Sequence, residues 1–224
     1  MNVKLISLTN SVIDEQQLTA EELIVYIARV SNPDNQLNFE TSDRLIKYLI
    51  QNKHWSPFDM VDMTVEIVTS RGIAQQILRH KSLFFQEFST RYSKVENIEP
   101  ILLRYKGETN RQSSSGTLNY KDAEYFNNRV DQVIKLSQDL YQEMLDANIA
   151  KECARSVLPI ATESTLYVKG SVRSWITYFN VRLDHHTQQE HRDIALRIGT
   201  IFSEQFPNIT KALNRFNDYK GMFI

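Results

Sequence analysis

Cysteine occurs once in the 224 residues, at Cys153. A single thiol closes no disulfide within a chain and builds no cysteine-based zinc site, which fits a reducing compartment. Glycine is also scarce, and the six stand at 72, 107, 116, 170, 199 and 221. No two of them have GxG spacing and no GxxxxGK occurs, so neither a Rossmann glycine turn nor a P-loop is available. Any nucleotide phosphate must then be held by side chains. The opening MNVKLISLTNSVIDEQQ lacks the apolar stretch of a signal peptide. No run approaches the ~18 apolar residues of a membrane span. A cytoplasmic protein with no membrane partner is expected. The formal net charge is −1, which offers no bulk attraction to nucleic acid, and no nucleic-acid partner is expected.

What remains is an ordinary globular composition, 42% hydrophobic and 24% charged. The length suits one large domain or two small ones, and without an internal repeat one domain over 1–224 is expected. Residues 3–8 read as a short strand. Thr19 and Glu22 have capping-box spacing, which opens a helix running to about residue 30. A second helix covers 42–52. Val61, Met63, Val65 and Ile67 alternate with Asp62, Thr64 and Glu66, the pattern of a half-buried strand. A helix over 70–80 follows, then an irregular or extended stretch over 82–95 and a polar loop over 104–119. The longest helix spans 120–147. Phe126, Val130, Val133, Leu140 and Met144 recur on it at helical spacing and predict a core seam. Residues 162–169 are β-like. Helices over 171–182 and 187–206 come next, the latter with Ile194, Ile198, Ile201 and Phe202 inward, and Pro207 can open a last short helix. The class is α+β: helix-rich, non-Rossmann, with a small mixed or antiparallel sheet.

Residues 79–94, RHKSLFFQEFSTRYSK, concentrate the charge. A core strand would not carry it, because unpaired buried charge costs several kcal/mol. A solvated loop is one reading. The other is a pocket for a flat anionic ligand, since Phe84, Phe85 and Phe88 interleave with the charged residues. The preceding helix aims Gln76, Arg79 and His80 along one arc and Ile73, Ala74, Ile77 and Leu78 along another.

Arg79-His80-Lys81, seven residues, then Ser89 resembles the Arg-His-Arg, seven residues, Ser signature of the flavin-dependent thymidylate synthases. Arg91-Tyr92-Ser93-Lys94 also matches. So do Ala28-Arg29-Val30-Ser31, His54-x-Ser56-Pro57-Phe58-Asp59 and Ala154-Arg155-Ser156-Val157-Leu158-Pro159. Arg173, Asn180, Arg182, His186, Gln188 and Glu190 match the late helix and its loop. The order is kept over residues 28–206. The chain departs at Lys81, which keeps the charge of arginine but loses its planar fork, and at Gln86, Ser56 and Asp59, where asparagine, threonine and glutamate are usual.

The resemblance implies methylation of dUMP to dTMP, with 5,10-methylenetetrahydrofolate as carbon donor and FAD, reduced by NADPH, as hydride source. It implies dUMP contacts from Gln76, Arg79, Glu87, Phe88, Ser89, Thr90, Arg91, Arg155 and Arg182. Among these Arg91 and Arg155 are expected at the phosphate, Gln76 at the uracil edge, and Arg182 as the cation polarising the ring. It implies FAD contacts from Ser31, Ser56, Asp59, Arg79, His80, Lys81, Gln86, Glu87, Arg173, Thr177 and His186, in a homotetramer whose flavin sites are shared between subunits. Arg182, Ser89 and His54 are the candidates nearest the chemistry. Ser89 is expected to bind and polarise, because no Gly-x-Ser-x-Gly elbow surrounds it and a serine nucleophile needs a base. Cys153 is expected to be packed.

Three rival readings were open on the residues. A metal enzyme could use His185, His186, Glu190 and His191, but HExxH is absent and no metal is expected. A non-catalytic nucleotide- or RNA-binding protein could use the 79–94 patch. The same fold could also take another pyrimidine nucleotide or transfer a hydroxymethyl group.

Overall fold

A computed structural model describes residues 1–13, 17–95, 97–108 and 114–213. The elements are β1 (Asn2–Leu8), α1 (Ala20–Ala28), α2 (Ser42–Gln51), β2 (Asp62–Ser70), α3 (Arg71–Ile77), β3 (Phe84–Glu87), β4 (Arg104–Lys106), β5 (Ser114–Thr117), α4 (Tyr120–Asp146), α5 (Lys151–Ala154), β6 (Glu163–Ser171), α6 (Val172–Arg182), α7 (Gln189–Gln205) and α8 (Pro207–Leu213). The main sheet has the order β1-β2-β6-β3, and every pairing in it is antiparallel.

The alternation in β2 does what a period of two requires. Val61, Met63, Val65 and Ile67 are wholly buried, and Val65 and Ile67 stand opposite the equally buried Val168 and Leu166 of β6. The helices pack on this face. Phe58, Trp175, Tyr178, Phe179, Phe202 and Phe206 fill the space between them, and the Trp175 indole donates to the Met63 carbonyl at 3.0 Å. The expected capping box is present: the Glu22 N–H donates to Thr19 Oγ1 at 3.2 Å while Glu22 Oε2 accepts the Thr19 N–H at 2.8 Å.

Both central strands run into a helix without a loop. Ser70 ends β2 and caps α3 by accepting the Ile73 N–H. Ser171 ends β6 and caps α6 by accepting the Ser174 N–H at 3.2 Å. A serine can serve both states because its β-region backbone closes the strand while its hydroxyl takes an orphan amide. Ser70 pairs with Glu163 and Ser171 pairs with Asp62, so the two helices start at opposite ends of one ladder.

Four expectations change. Helix α3 stops at Ile77, and residues 78–83 turn instead, with His80 N–H bonded to the Ile77 carbonyl and Leu83 N–H to the His80 carbonyl. The turn is what sets β3 beside β6. The segment 104–119 is not all loop, because β4 and β5 pair within it; Gln112 and Ser113 of the expected loop lie outside the described residues. Helix α7 begins at Gln189, two residues after its expected start, with His185 and His186 before it as expected. The α4 seam is not core: Phe126, Val133 and Leu140 are 49%, 62% and 41% exposed, and Tyr141 is the buried residue of that helix. Periodicity reports an apolar stripe, but not which surface covers it.

Gly170 sits at the tightest point of this core, where an added Cβ would meet Leu83 Cδ2 at 2.3 Å and Ser174 Cβ at 3.3 Å. Leu83 is itself 4% exposed and has little room to yield. Gly170→Ala is expected to lower unfolding stability by about 1–3 kcal/mol, as overpacked cores do, measured by urea denaturation. An unchanged midpoint would show that the turn around Leu83 yields freely.

Candidate active site

The C-terminus of α6 and the turn after α3 bring two candidates into contact. Arg182 Nε donates to His80 Nε2 at 2.7 Å. Burial, and then the Arg182 charge, hold the His80 imidazole down at about 4. It is therefore neutral near pH 7, with its proton on Nδ1, and can accept the guanidinium N–H. Burial also lowers the Arg182 pKa, and Arg79 adds to this against the opposing effect of Tyr178. A half-buried cation already bound on one side keeps its remaining N–H donors for a ligand.

Behind this pair lies a buried wall. Tyr178 and His191 are fully buried and bonded at 3.1 Å between the phenol oxygen and Nε2. His80 packs edge-on against Tyr178, with ring centroids 4.9 Å apart. His191 Nδ1 lies 3.3 Å from Gln76 Oε1, and Gln76 Nε2 donates to Gln188 Oε1 at 2.7 Å. Gln76, Gln188, Glu190 and Arg104 line one side of a cavity of about 500 Å³ whose apolar side includes Ile73, Ile101, Leu102 and Ile160. That size and mixture suit a small-molecule site.

A second group forms where the turn after β3 meets the turn after α5. Arg155 Nη1 donates to Thr90 Oγ1 at 3.1 Å, and the Arg91 N–H donates to Ser89 Oγ at 3.4 Å. Arg155, Thr90 and Arg71 line a cavity of about 320 Å³. Arg91 Nη2 meets Glu152 at 3.1 Å with both side chains more than half exposed. Such a pair contributes little and leaves the guanidinium available to an anion. Glu87 accepts from Ser164 Oγ at 2.9 Å and lies 3.9 Å from Arg71. Phe88 is half-buried, and its N–H donates to the Thr165 carbonyl at 2.8 Å.

The third group sits where the 3-10 turn Ser56–Asp59 meets the start of α6. Asp59 Oδ2 pairs with Arg173 Nη1 at 2.9 Å, and Asp59 Oδ1 accepts from Ser171 Oγ at 3.1 Å. Thr177 is one turn further along the same exposed face. Ser31, His54, Ser56, Lys81 and Gln86 are all exposed, and no hydrogen bond joins them to another candidate among the described residues. The His54 ring packs edge-on against Tyr48. Arg29 is buried and binds the Asn35 carbonyl and Thr41 Oγ1, which fixes the loop that carries Ser31.

Sequence reasoning missed Tyr178, Ser171, Arg71 and Arg104, and set His191 aside. Tyr178 reads as one more apolar residue beside Trp175 and Phe179; only its buried hydroxyl marks it. His191, weighed only as a metal ligand, is buried and bonds Gln76 and Tyr178. Cys153 is exposed rather than packed. Among the described residues, the His/Cys/Asp/Glu group close enough to share an ion is Asp184, His185 and His186, all exposed. There His186 already bonds Asp184 Oδ1 through Nδ1 at 2.7 Å.

The comparisons with known proteins agree in direction. The family model described as thymidylate synthase complementing protein matches residues 12–208. A Synechocystis protein named flavin-dependent thymidylate synthase is 50% identical over 215 residues, 95% of this chain and 99% of that one. A probable flavin-dependent thymidylate synthase of Paramecium bursaria Chlorella virus 1 is 46% identical over 215 residues, 96% of this chain and 99% of that one. Among solved structures, the UMP/dUMP methylase PolB from Streptomyces cacaoi bound with 5-Br dUMP is similar at a TM-score of 0.79 and 25% identity, over 95% of this chain and 94% of that one. The same methylase bound with 5-Br UMP gives a TM-score of 0.80 at 25% identity, over 96% and 94%.

Two histidines of the buried wall make stability acid-sensitive. His80 falls from 6.5 to about 4 and His191 from 6.5 to about 3 on folding. Above pH ~6.5 both states are neutral and no proton-linked term exists. As pH falls from 6.5 toward 4 the unfolded chain binds protons that the folded chain refuses, so stability falls. Thermal melts are expected to show Tm dropping between pH 7 and 5, with a smaller drop in His191→Leu. Equal drops would show that His191 titrates normally.

Proposed function

Because the chain belongs to the thymidylate synthase complementing proteins, the flavin-dependent thymidylate synthases, we propose that it converts dUMP to dTMP at these three side-chain groups. The observation that carries this reading is the Arg182–His80 contact, one turn of chain from Gln76. In this reading Gln76 pairs with the uracil edge, since an amide both donates and accepts. Arg182 stabilises the negative charge that develops on the ring as carbon 5 becomes nucleophilic, and the neutral His80 holds the guanidinium in place. Arg79 adds a second cation. Ser89, Thr90, Arg91 and Arg155 take the phosphate, with backbone amides helping; paired N–H donors fit two phosphate oxygens. Glu87 and Phe88 connect the phosphate group to the sheet.

The carbon donor in this reading is 5,10-methylenetetrahydrofolate. FAD, reduced by NADPH, supplies the hydride when bound. The residues present fit that cofactor. Asp59, Ser171, Arg173 and Thr177 form one exposed polar cluster, and Arg79 and Lys81 are exposed cations on the turn after α3. Arg79, Lys81 and Arg173 offer the N–H donors that a diphosphate needs when no glycine loop exists, while Asp59 accepts from Arg173 and Ser171 and holds them in place. Ser31, His54, Ser56, Gln86 and His186 complete the set, and among the described residues no hydrogen bond joins them to the Arg182 group. Assembly as a homotetramer with shared flavin sites accounts for this. It also accounts for the exposed apolar stripe of α4, where Leu136 is 70% exposed. No described helix is long and apolar enough to cross a membrane; with the single cysteine, this supports a cytoplasmic reading.

UMP is a second substrate reading, favoured by the structural neighbour titled a UMP/dUMP methylase and bound with 5-Br UMP.

Tritium release from carbon 5 of labelled dUMP tests the reading, with protein, FAD, NADPH and methylenetetrahydrofolate each omitted in turn. Release that needs all of them, with dTMP confirmed by mass, is expected; the same assay on labelled UMP decides the second reading. No release from folded, flavin-loaded protein would overturn both. Arg182→Gln is expected to lower release about 10²–10³-fold. Arg155→Ala is expected to raise KM for dUMP about 10–100-fold with kcat little changed. The reverse pattern would exchange their roles.

A further inference from the structure

The hydrogen bonds behind Gln76 form a continuous chain with an anchored direction. Glu190 is its fixed end. Arg104 Nη2 donates to both carboxylate oxygens, at 2.7 and 2.9 Å. Burial pushes the Glu190 carboxyl up, but the Glu190 N–H, Arg104 and Gln188 together outweigh it and hold it below the ordinary range. A carboxylate can only accept. Gln188 must therefore turn its Nε2 toward Glu190 Oε2, at 3.0 Å. Its Oε1 is left to accept from Gln76 Nε2, at 2.7 Å. Gln76 Oε1 then accepts from His191 Nδ1, at 3.3 Å, and His191 Nε2 accepts from the Tyr178 hydroxyl, at 3.1 Å. Every bond donates toward Glu190.

The reversed chain is also geometrically complete, except at one link. Turning Gln188 round together with Gln76, His191 and Tyr178 would set Gln188 Oε1 against the Glu190 carboxylate, acceptor against acceptor. Burial and the Arg182 charge keep His191 neutral, at about 3, so it has one N–H and must choose a direction with the rest.

We infer that the Tyr178–His191–Gln76–Gln188–Glu190 chain is a polarity lock that fixes which way the Gln76 amide faces and so makes the site accept uracil and reject cytosine. The inference rests on the reading that Gln76 meets the pyrimidine edge. Locked, Gln76 keeps one Oε1 lone pair and one Nε2 hydrogen for a ligand at the cavity wall. Uracil offers N3–H to the first and a carbonyl to the second. Cytosine presents its N3 lone pair to Oε1 and, at position 4, an amine to Nε2–H. Both contacts are then wrong, and a free glutamine would simply flip to correct them. His191 and Glu190 act through Gln76 and are positioning residues.

Glu190→Gln is the near-isosteric test. Arg104 then holds the new amide oxygen, and the new amide N–H points at Gln188, which favours the reversed direction along the whole chain. Dissociation constants for dUMP and dCMP, measured on the purified full-length protein by calorimetry, read the result. The wild type is expected to bind dUMP and to reject dCMP. In Glu190→Gln the dUMP-to-dCMP preference should shift toward dCMP by about tenfold or more, the scale of one mispaired buried hydrogen bond. His191→Leu removes the middle link and should narrow the preference without reversing it. A purely structural role would weaken both nucleotides alike and leave the ratio unmoved. Wild-type binding of dUMP with an unmoved ratio in both variants would overturn the lock and leave the dUMP reading standing. Absence of dUMP binding in a folded wild type would overturn that reading and the lock with it.

Discussion

Nine residues of β2 lie antiparallel against nine of β6, and this ladder positions everything else. Its inner face is closed by Met63, Val65, Ile67, Leu166 and Val168, all buried. At roughly 25 cal/mol per Å² of apolar surface removed from water, such a stripe outweighs any single polar contact in the molecule. Each strand ends in a serine that is already the cap of the next helix. No loop intervenes, so the first turns of α3 and α6 inherit the rigidity of the sheet. Functional side chains carried by α3 and α6 are held more closely than side chains on free loops could be.

The polar site is assembled on that frame by accounting for every donor and acceptor. Tyr178 and His191 are buried among aromatics, where an unpaired polar atom would cost about 1–3 kcal/mol. They pair with each other, and the chain they begin ends on a carboxylate held by Arg104. His80 pairs with Arg182 by staying neutral. The three groups of the site differ accordingly. The Arg182 group is half-buried, whereas the Arg91–Glu152 and Arg173–Asp59 pairs of the other two groups are exposed, where bulk water weakens them.

Much of the frame was legible in advance. Alternation in β2, the capping box of Thr19 and Glu22, and the seam of α7 are local patterns with one physical solution each. The charged segment 79–94 stood out as a candidate site because Phe84, Phe85 and Phe88 interleave with its charges, although a solvated loop was also open. Its contacts were not legible. The turn over 78–83 replaces the expected end of a helix because β3 must reach β6, a constraint from residues about 80 positions away. The α4 stripe misled for a related reason: an apolar period is the same whether the covering surface belongs to this chain or to another.

The residues by themselves determined the strands, the main helices, the absence of a glycine phosphate loop and the family of the chain. Those follow from short-range sterics, hydrophobic period and an ordered set of motifs. Only the tertiary structure decided that Arg182 meets His80, that His191 turns inward to Gln76 and that Cys153 faces solvent. These contacts join positions far apart in sequence, and a hydrogen bond acquires its direction only when both partners and their neighbours are fixed in space. Gln76 and Glu190 are visible in the sequence as an amide and an acid; that one sets the orientation of the other is a property of the folded chain alone.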